Sequence, residues 1–165
     1  MHATDNVCRL RTHSMTHIKS RLWSIAVVLY FLAEVAWSQE APQPRLPTIE
    51  ISAGMHVIRA EVAQSPQQQQ VGMMMRREMG ANEGMLFVNA EAGVRCFWMR
   101  NTLLPLSIAF IADDGTIVNL ADMQPQSDQS HCSEKPVRFA LEMNKSWFAK
   151  RGLTAGLRLR GKIFE

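Results

Sequence analysis

The residues best suited to binding chemistry lie in one short run, FWMRNTLLPL, at positions 97–106. In an extended strand Trp98 and Arg100 share one face, and Asn101 and Thr102 add an amide and a hydroxyl. An aromatic stacking surface beside a fixed cationic donor suits a sugar, a small carboxylate or a peptide end. The structural alternative is that Asn101 and Thr102 bond backbone groups and shape the turn before Pro105.

Few groups are available for acid–base catalysis. Beyond residue 38 the only histidines are His56 and His131, and the acidic residues nearest to strand ends are Asp122 and Glu142. A small hydrolase or lyase would need at least two of Asp122, His131 and Glu142 within reach of one reacting position. Spacing in the sequence does not establish this convergence, so no catalytic residue is assigned and a non-catalytic protein is favoured.

Methionines are concentrated in one part of the chain, and thioether ligands suit Cu(I) in an exported protein. No histidine lies within that part, and methionine also fills irregular gaps in apolar cores. We therefore favour core packing, keep copper handling as an alternative, and predict no metal site and no cofactor. The six methionines concerned are Met73, Met74, Met75, Met79, Met85 and Met99.

Two cysteines, Cys96 and Cys132, remain after the first 38 residues. In an oxidising compartment such a pair is most simply a disulfide, and two separate buried thiols are the alternative. A bridge closing a loop of this size would contribute on the order of 3–4 kcal/mol.

Residues 1–38 have the pattern of an export signal: basic residues, an apolar run from Leu22 to Ala33, and the small residues Ala36 and Ser38 before the expected cleavage point. The apolar run is shorter than the roughly 20 residues of a spanning helix, so membrane attachment is expected only if the signal stays uncleaved. We predict a periplasmic or secreted protein, with Met15 as an alternative start. Residues 39–48 are Pro-rich and polar and are predicted to be a tether.

The apparent basicity of the chain comes mainly from this leader. The whole chain has 18 Lys and Arg against 15 Asp and Glu; the leader holds four and two of these, which leaves 14 and 13. A nucleic-acid-binding domain needs a concentrated basic face. The nearly balanced charge therefore predicts no nucleic-acid partner.

The remaining residues 49–165 predict a single mainly β domain. Residues 56–63 and 137–143 alternate in polarity as half-buried strands do, and Asp113-Asp114-Gly115 predicts a hairpin turn. Ser65, Pro66 and Gln68 predict the start of a helix that would continue to about Glu78. These signals favour a single antiparallel sandwich or jelly-roll-like barrel with one or two short helices. Further strands are expected at 49–51, 84–88, 96–101, 106–112, 116–122 and 157–164.

In order along the chain, several blocks resemble the bacterial and archaeal domain-of-unknown-function family 192, also known as uncharacterised protein family 0127. The most specific block is FWMRNTLLPLSIAFI at 97–111, and others are GMMMRREM at 72–79 and RFALEMN at 138–144. The resemblance implies a mainly β, often exported domain with no established activity. Positions that match the family signature are Gly72, Met74, Arg76, Gly84, Met85, Phe87, Trp98, Met99, Asn101, Thr102, Pro105, Pro125 and Glu142.

The resemblance also adds Arg76 to the candidate surface. Arg76 could meet the Asn101-Thr102 pair, either in a buried structural cluster or in a pocket that holds an anion. The family usually has an acidic residue where this chain has Ser107, which argues against carboxylate catalysis here. We therefore expect an exported module that binds a small polar ligand or a protein partner. The ligand-binding candidates are Arg76, Trp98, Arg100, Asn101, Thr102 and Asp122.

Overall fold

The structure, a computed structural model, describes residues 41–165. The predicted signal and the first two residues of the predicted tether lie outside this range. Two short 3₁₀ helices, Ala149–Arg151 and Lys162–Phe164, follow the last strand. The other elements are β1 (Thr48–Ala53), β2 (His56–Ala63), α1 (Pro66–Val71), β3 (Glu83–Gly93), β4 (Cys96–Phe97), β5 (Leu106–Ile111), β6 (Ile117–Met123), β7 (His131–Cys132) and β8 (Val137–Asn144).

Six strands form one mixed sheet in the order β1-β2-β3-β8-β5-β6, and β4 and β7 form a separate two-stranded sheet. The prediction of a mainly β domain with few helices is confirmed. The described strands are not all antiparallel as expected, because β2 pairs in parallel with β3. The six-stranded sheet also does not close into a barrel, because β1 and β6 are its two edges. Parallel neighbours need a crossover connection, and α1 lies in it.

Helix α1 begins as the sequence predicts and ends earlier. The Ser65 hydroxyl accepts from the Gln68 N–H, the Gln68 side chain accepts from the Ser65 N–H, and Pro66 occupies the first turn. The helix ends at Val71 rather than near Glu78, because Gly72 has φ of 49° and Met75 has φ of 60°. These left-handed conformations end the helical path and turn residues 72–76 back across the sheet.

Both faces of the six-stranded sheet are covered by apolar residues, since all six residues of the interior strand β5 are buried. On the first face, Leu86 and Leu141 pack beneath Trp147 and Phe148 from the segment after β8. The second face carries a separate cluster that includes Met85, Phe87, Ile108, Met73 and Met99. The alternating polarity of β8 therefore does not mean that one side faces water.

The two-stranded sheet pairs β4 with β7 and so links two segments that are distant in the sequence. Cys96 pairs with Cys132, and the two residues form a disulfide with their Cα atoms 4.0 Å apart. The predicted strand over residues 96–101 ends at Phe97, because the chain turns at Arg100 and Asn101. The predicted terminal strand is also reduced to isolated bridges, at Arg158 and Arg160.

Part of the predicted tether packs on the domain. The Gln43 side chain donates to the carbonyl oxygens of Gln68 and Gly72 at the end of α1, and Leu46 contacts the apolar cluster of the second face. Residues 43–47 therefore cover one edge of the fold. Among the described helices, none has the length and apolar character needed to cross a bilayer.

Candidate functional site

A cavity of about 610 Å³ opens on the second face of the sheet, between α1, the ends of β3 and β4, and the loop that follows β4. Its walls include Phe87 and Phe97, whose rings meet edge to face at 4.9 Å. The volume lies within the range of ordinary small-molecule sites, which combine apolar walls with a few polar groups. We call this cavity the second-face pocket.

Glu142 is the buried acidic group of the second-face pocket. Its residue is 4% exposed, and no hydrogen bond or ion pair with another described residue contributes to the pKa of its carboxyl group. Burial raises the pKa of Glu142 from 4.5 to about 8, because a low-dielectric setting disfavours the charged form. Glu142 is therefore mostly a neutral carboxylic acid at neutral pH.

Glu61 provides an internal comparison, because it lies on the same face. Register places Glu61 beside Met85, and Met85 beside Glu142, so the side chains form one row across three strands. Two strand spacings separate the two acids by about 10 Å. Their surroundings nevertheless differ completely.

Glu61 is surrounded by donors. Arg76 donates to both of its carboxylate oxygens at 2.7 Å, and Arg45 and the Leu46 N–H each donate at 2.8 Å. Burial alone would raise the pKa of Glu61, but these hydrogen bonds outweigh it and hold the pKa below its ordinary value. The described part of the fold therefore neutralises Glu61 and supplies no partner to Glu142.

Arg76 thus lies in a buried ion pair and not in a binding pocket. The residue is 5% exposed, and its Nε has no partner among the described residues. Its segment does approach the candidate patch, since the Met75 N–H donates to the Asn101 carbonyl at 2.9 Å. Of the two alternatives for Arg76, the structure shows a buried cluster, but its partner is Glu61 rather than Asn101 or Thr102.

The other patch residues are divided between the pocket and the surface. Trp98 and Thr102 line the second-face pocket, and Trp98 is 48% exposed at its mouth. Arg100 stacks over the Trp98 ring at 4.4 Å and donates to Asp128 at 2.8 Å. This hydrogen bond keeps the pKa of Asp128 below its usual value. Asn101 is exposed and forms the turn.

Three residues with left-handed backbones meet beside the pocket. Met75, Asn101 and Gln126 have φ of 60°, 57° and 60°. The Met75 N–H donates to the Asn101 carbonyl, and the Gln126 N–H donates to the Thr102 carbonyl at 3.1 Å. Sparsely populated conformations of this kind are frequent at ligand sites, which agrees with the position of the pocket.

Asp122 lies away from the pocket. It pairs with Ser107 across β6 and β5 and accepts a hydrogen bond from the Ser107 hydroxyl. Ser107 also pairs with Met143, so Asp122 and Glu142 point to opposite faces of the sheet. His131 is in β7 opposite Phe97, and its neighbour Cys132 is in the disulfide. The structure does not bring Asp122 and Glu142 together as an acid–base pair.

The predicted methionine cluster is also divided. Met73 and Met74 line the pocket, whereas Met85 and Met99 are fully buried in the apolar cluster. Within residues 41–165 no three His, Cys, Asp or Glu side chains converge in a way that could hold a metal.

Several residues that line the pocket were not identified as binding candidates from the sequence. Gln69, Arg95 and Phe97 line the pocket, although each has an ordinary structural explanation in its own segment. Glu142 and Phe87 match the family signature, and only that pattern in the sequence could have indicated that the two residues belong to one site. Pairing β8 with β3 is what places Glu142 above this cavity.

The fold and site define a small mainly β domain with a mixed sheet and a pocket on its second face that contains a buried acid. The DUF192 family, described as an uncharacterised ACR, matches residues 48–161. The chain therefore belongs to this family.

Two solved structures are similar along most of their length. A protein from Sinorhizobium meliloti, provisionally described as a transcription regulator, is 34% identical with a TM-score of 0.69, over 73% of this chain and 98% of that one. A protein of unknown function from Novosphingobium aromaticivorans is 31% identical with a TM-score of 0.68, over 78% of this chain and 96% of that one. No curated protein matches in sequence.

Proposed function

We propose that this protein is an exported, non-catalytic binding domain that holds a small molecule in the second-face pocket. The observation that carries the proposal is Glu142, a buried acid that has no partner among residues 41–165 and lines a cavity of about 610 Å³. Buried polar groups are normally hydrogen-bonded. An acid left unpaired in a cavity, ten ångströms or so from one that is fully paired, is best explained by a partner that arrives from solution.

The composition of the mouth supports a small ligand. Val94 and Trp98 are 62% and 48% exposed, and both line the pocket. Large apolar side chains exposed beside a concave site are typical of ligand sites. Trp98, Thr102 and Glu142 are the polar and aromatic groups that we assign to ligand contact.

Export is part of this proposal and is supported by the leader-like residues 1–38 and by the disulfide between Cys96 and Cys132. Disulfides persist in oxidising compartments. Cell fractionation with N-terminal sequencing of the mature protein tests it. A mature terminus near Gln39 in the periplasm or medium supports export, and an intact leader in the cytosol contradicts it.

The pocket can be tested with methionine methyl NMR, because the chain carries its own reporters. Met73 and Met74 line the pocket, while Met55 is 91% exposed on the β1–β2 turn. A panel of small neutral, anionic and cationic compounds is titrated into protein with ¹³C-labelled methionine methyl groups. We expect saturable shifts at Met73 and Met74 but not at Met55.

A matched pair of variants controls this experiment. Ser130 is exposed and lines the pocket, and its neighbour Gln129 is exposed but does not line it. Ser130→Trp should occlude the mouth and abolish the shifts, and Gln129→Trp should leave them unchanged. No saturable shift with any compound, or shifts that survive Ser130→Trp, would overturn the binding proposal.

A further inference from the structure

The chemistry of the second-face pocket also indicates which charge its ligand carries. The buried acid in its wall is Glu142, and the aromatic residues Phe87, Phe97 and Trp98 line the same space. Aromatic rings attract cations through their electron-rich faces, and rings of this kind recognise quaternary ammonium groups in other proteins. The Arg100 guanidinium already stacks on the Trp98 ring at 4.4 Å. The Glu142 acid and the rings of Phe87 and Phe97 are therefore the groups that form a complementary environment for a further positive charge.

None of the described cationic groups around the pocket contributes to the pKa of Glu142, for which burial is the only cause of the shift. On the β2 side, Arg76 and Arg45 are paired with Glu61, and Arg45 also approaches Glu83 at 3.6 Å. On the other sides, Arg100 is paired with Asp128, and Arg138 donates to the Asn89 carbonyl. Arg95 lines the pocket and donates to the Glu91 carbonyl, and its Nε has no partner among the described residues. The sheet neighbours of Glu142 on this face are the uncharged Met85 and Ile108.

Since none of these groups neutralises Glu142, a positive charge that arrives from outside would stabilise its ionised form. We propose that the ligand is a small organic cation, a protonated amine or a quaternary ammonium, held by the Glu142 carboxylate and the pocket's aromatic rings. This inference rests on the proposed binding function and narrows its ligand class. No chemical step follows binding; the ligand replaces the proton of Glu142, which is released to solvent.

Because a bound cation displaces a proton, its affinity should change with pH in a direction that other ligands do not share. Burial places the pKa of Glu142 at about 8, so below that pH a cation must displace a proton. The affinity for a cation should rise by up to tenfold per pH unit between pH 6 and 8 and level off above that range. A ligand that needs the neutral acid would show the opposite trend.

Shape-matched probes test this directly. Benzyltrimethylammonium carries a permanent charge, benzyl alcohol is neutral and phenylacetate is anionic, and each presents one aromatic ring. Isothermal titration calorimetry at pH 6, 7 and 8 in buffers of different ionisation enthalpy measures both affinity and released protons. We expect the cation to bind at least tenfold more tightly than the other two at pH 8, with release of up to one proton at pH 6.

Glu142→Gln is the informative variant, because it keeps shape and hydrogen bonding but cannot ionise. It should weaken cation binding at least tenfold at pH 8 and abolish both proton release and pH dependence. Glu134→Gln, at an exposed site, should change none of these.

The outcomes separate the inference from the proposed function. Tighter binding of the alcohol or the anion, with methyl shifts at Met73 and Met74, would overturn the cation assignment while leaving the pocket as a binding site. Cation affinity that is unchanged in Glu142→Gln, or that falls as pH rises, would also overturn the assignment. Absence of binding by all three probes would count against the cation assignment, and absence of shifts across the wider panel would remove the binding function as well.

Discussion

At the scale of single residues, the contrast between Glu61 and Glu142 carries the most information. Both acids are buried on one face of the sheet, each 4% exposed. Glu61 accepts from two arginines and a backbone N–H, whereas the only cause that shifts the pKa of Glu142 is burial. This contrast is the reason why we assign Glu61 to the structure of the domain and propose Glu142 for ligand binding.

The stability of the protein should depend on pH through Glu142. Its pKa is raised on folding from 4.5 to about 8, so the folded state binds the proton more tightly across this window. The free energy of unfolding therefore falls as pH rises from 4.5 towards 8, by up to roughly 1.4 kcal/mol per pH unit. Urea denaturation of wild type and Glu142→Gln at pH 5, 6.5 and 8 measures this.

The quantity to compare is the difference in free energy of unfolding between wild type and Glu142→Gln, because other groups also titrate. Wild type should lose stability relative to Glu142→Gln as pH rises, while Glu134→Gln should follow wild type. A difference that stays constant from pH 5 to 8 would show that Glu142 has an ordinary pKa.

Arg76 should be essential for stability rather than for binding. Removing one partner of a buried ion pair leaves the other charge uncompensated, which typically costs about 3–5 kcal/mol. Arg76→Ala is therefore expected to lower the free energy of unfolding by that amount. Its neighbour Arg77 is exposed, so Arg77→Ala is the control and should change stability little. Equal stability of Arg76→Ala and wild type would contradict the structural role.

At the scale of elements, β3 and β8 approach each other closely at Gly84. A Cβ at Gly84 would stand 2.5 Å from the Glu142 carbonyl oxygen and would also meet the Met143 Sδ. Only glycine therefore allows these two strands to pair at this register, and the register in turn places Glu142 in the pocket.

Gly84→Ala should consequently be costly, by about 1–3 kcal/mol as for other overpacked cores. The control is Gly93→Ala in the same strand, where the nearest atoms belong to the flexible Arg95 guanidinium at 3.3 Å or more. Thermal unfolding of both variants measures the difference. A Gly84→Ala protein as stable as Gly93→Ala would show that β3 and β8 do not approach so closely.

Helices and strands could be predicted from the sequence where a short local pattern determines them. The capping box of Ser65 and Gln68 indicated the start of α1, and alternating polarity indicated β2 and β8. The parallel pairing of β2 with β3 was missed because a six-residue helix gives a weak crossover signal, and because pairing depends on distant residues. The same holds for the residues that follow α1, where Met75 takes a left-handed conformation that methionine rarely adopts.

At the scale of the whole molecule, the family was recognisable from sequence and the site was recognisable only in part. Trp98 and Thr102 line the pocket, whereas Arg76, Arg100, Asn101 and Asp122 do not. The polarity of β8 suggested that Glu142 faces outward. Its burial follows from α1 and the loops that cover the second face, which no pattern within β8 can reveal.

At neutral pH, Glu142 is expected to be a neutral acid that lines the second-face pocket without a partner among the described residues. The most direct measurement is a ¹³C NMR titration of the glutamate side-chain carboxyl carbons, with the Glu142 signal assigned by its loss in Glu142→Gln. We expect the Glu142 carboxyl group to titrate with a midpoint at about pH 8, and this midpoint should fall when an organic cation is bound. A midpoint near 4.5, the ordinary value for glutamate, would contradict it.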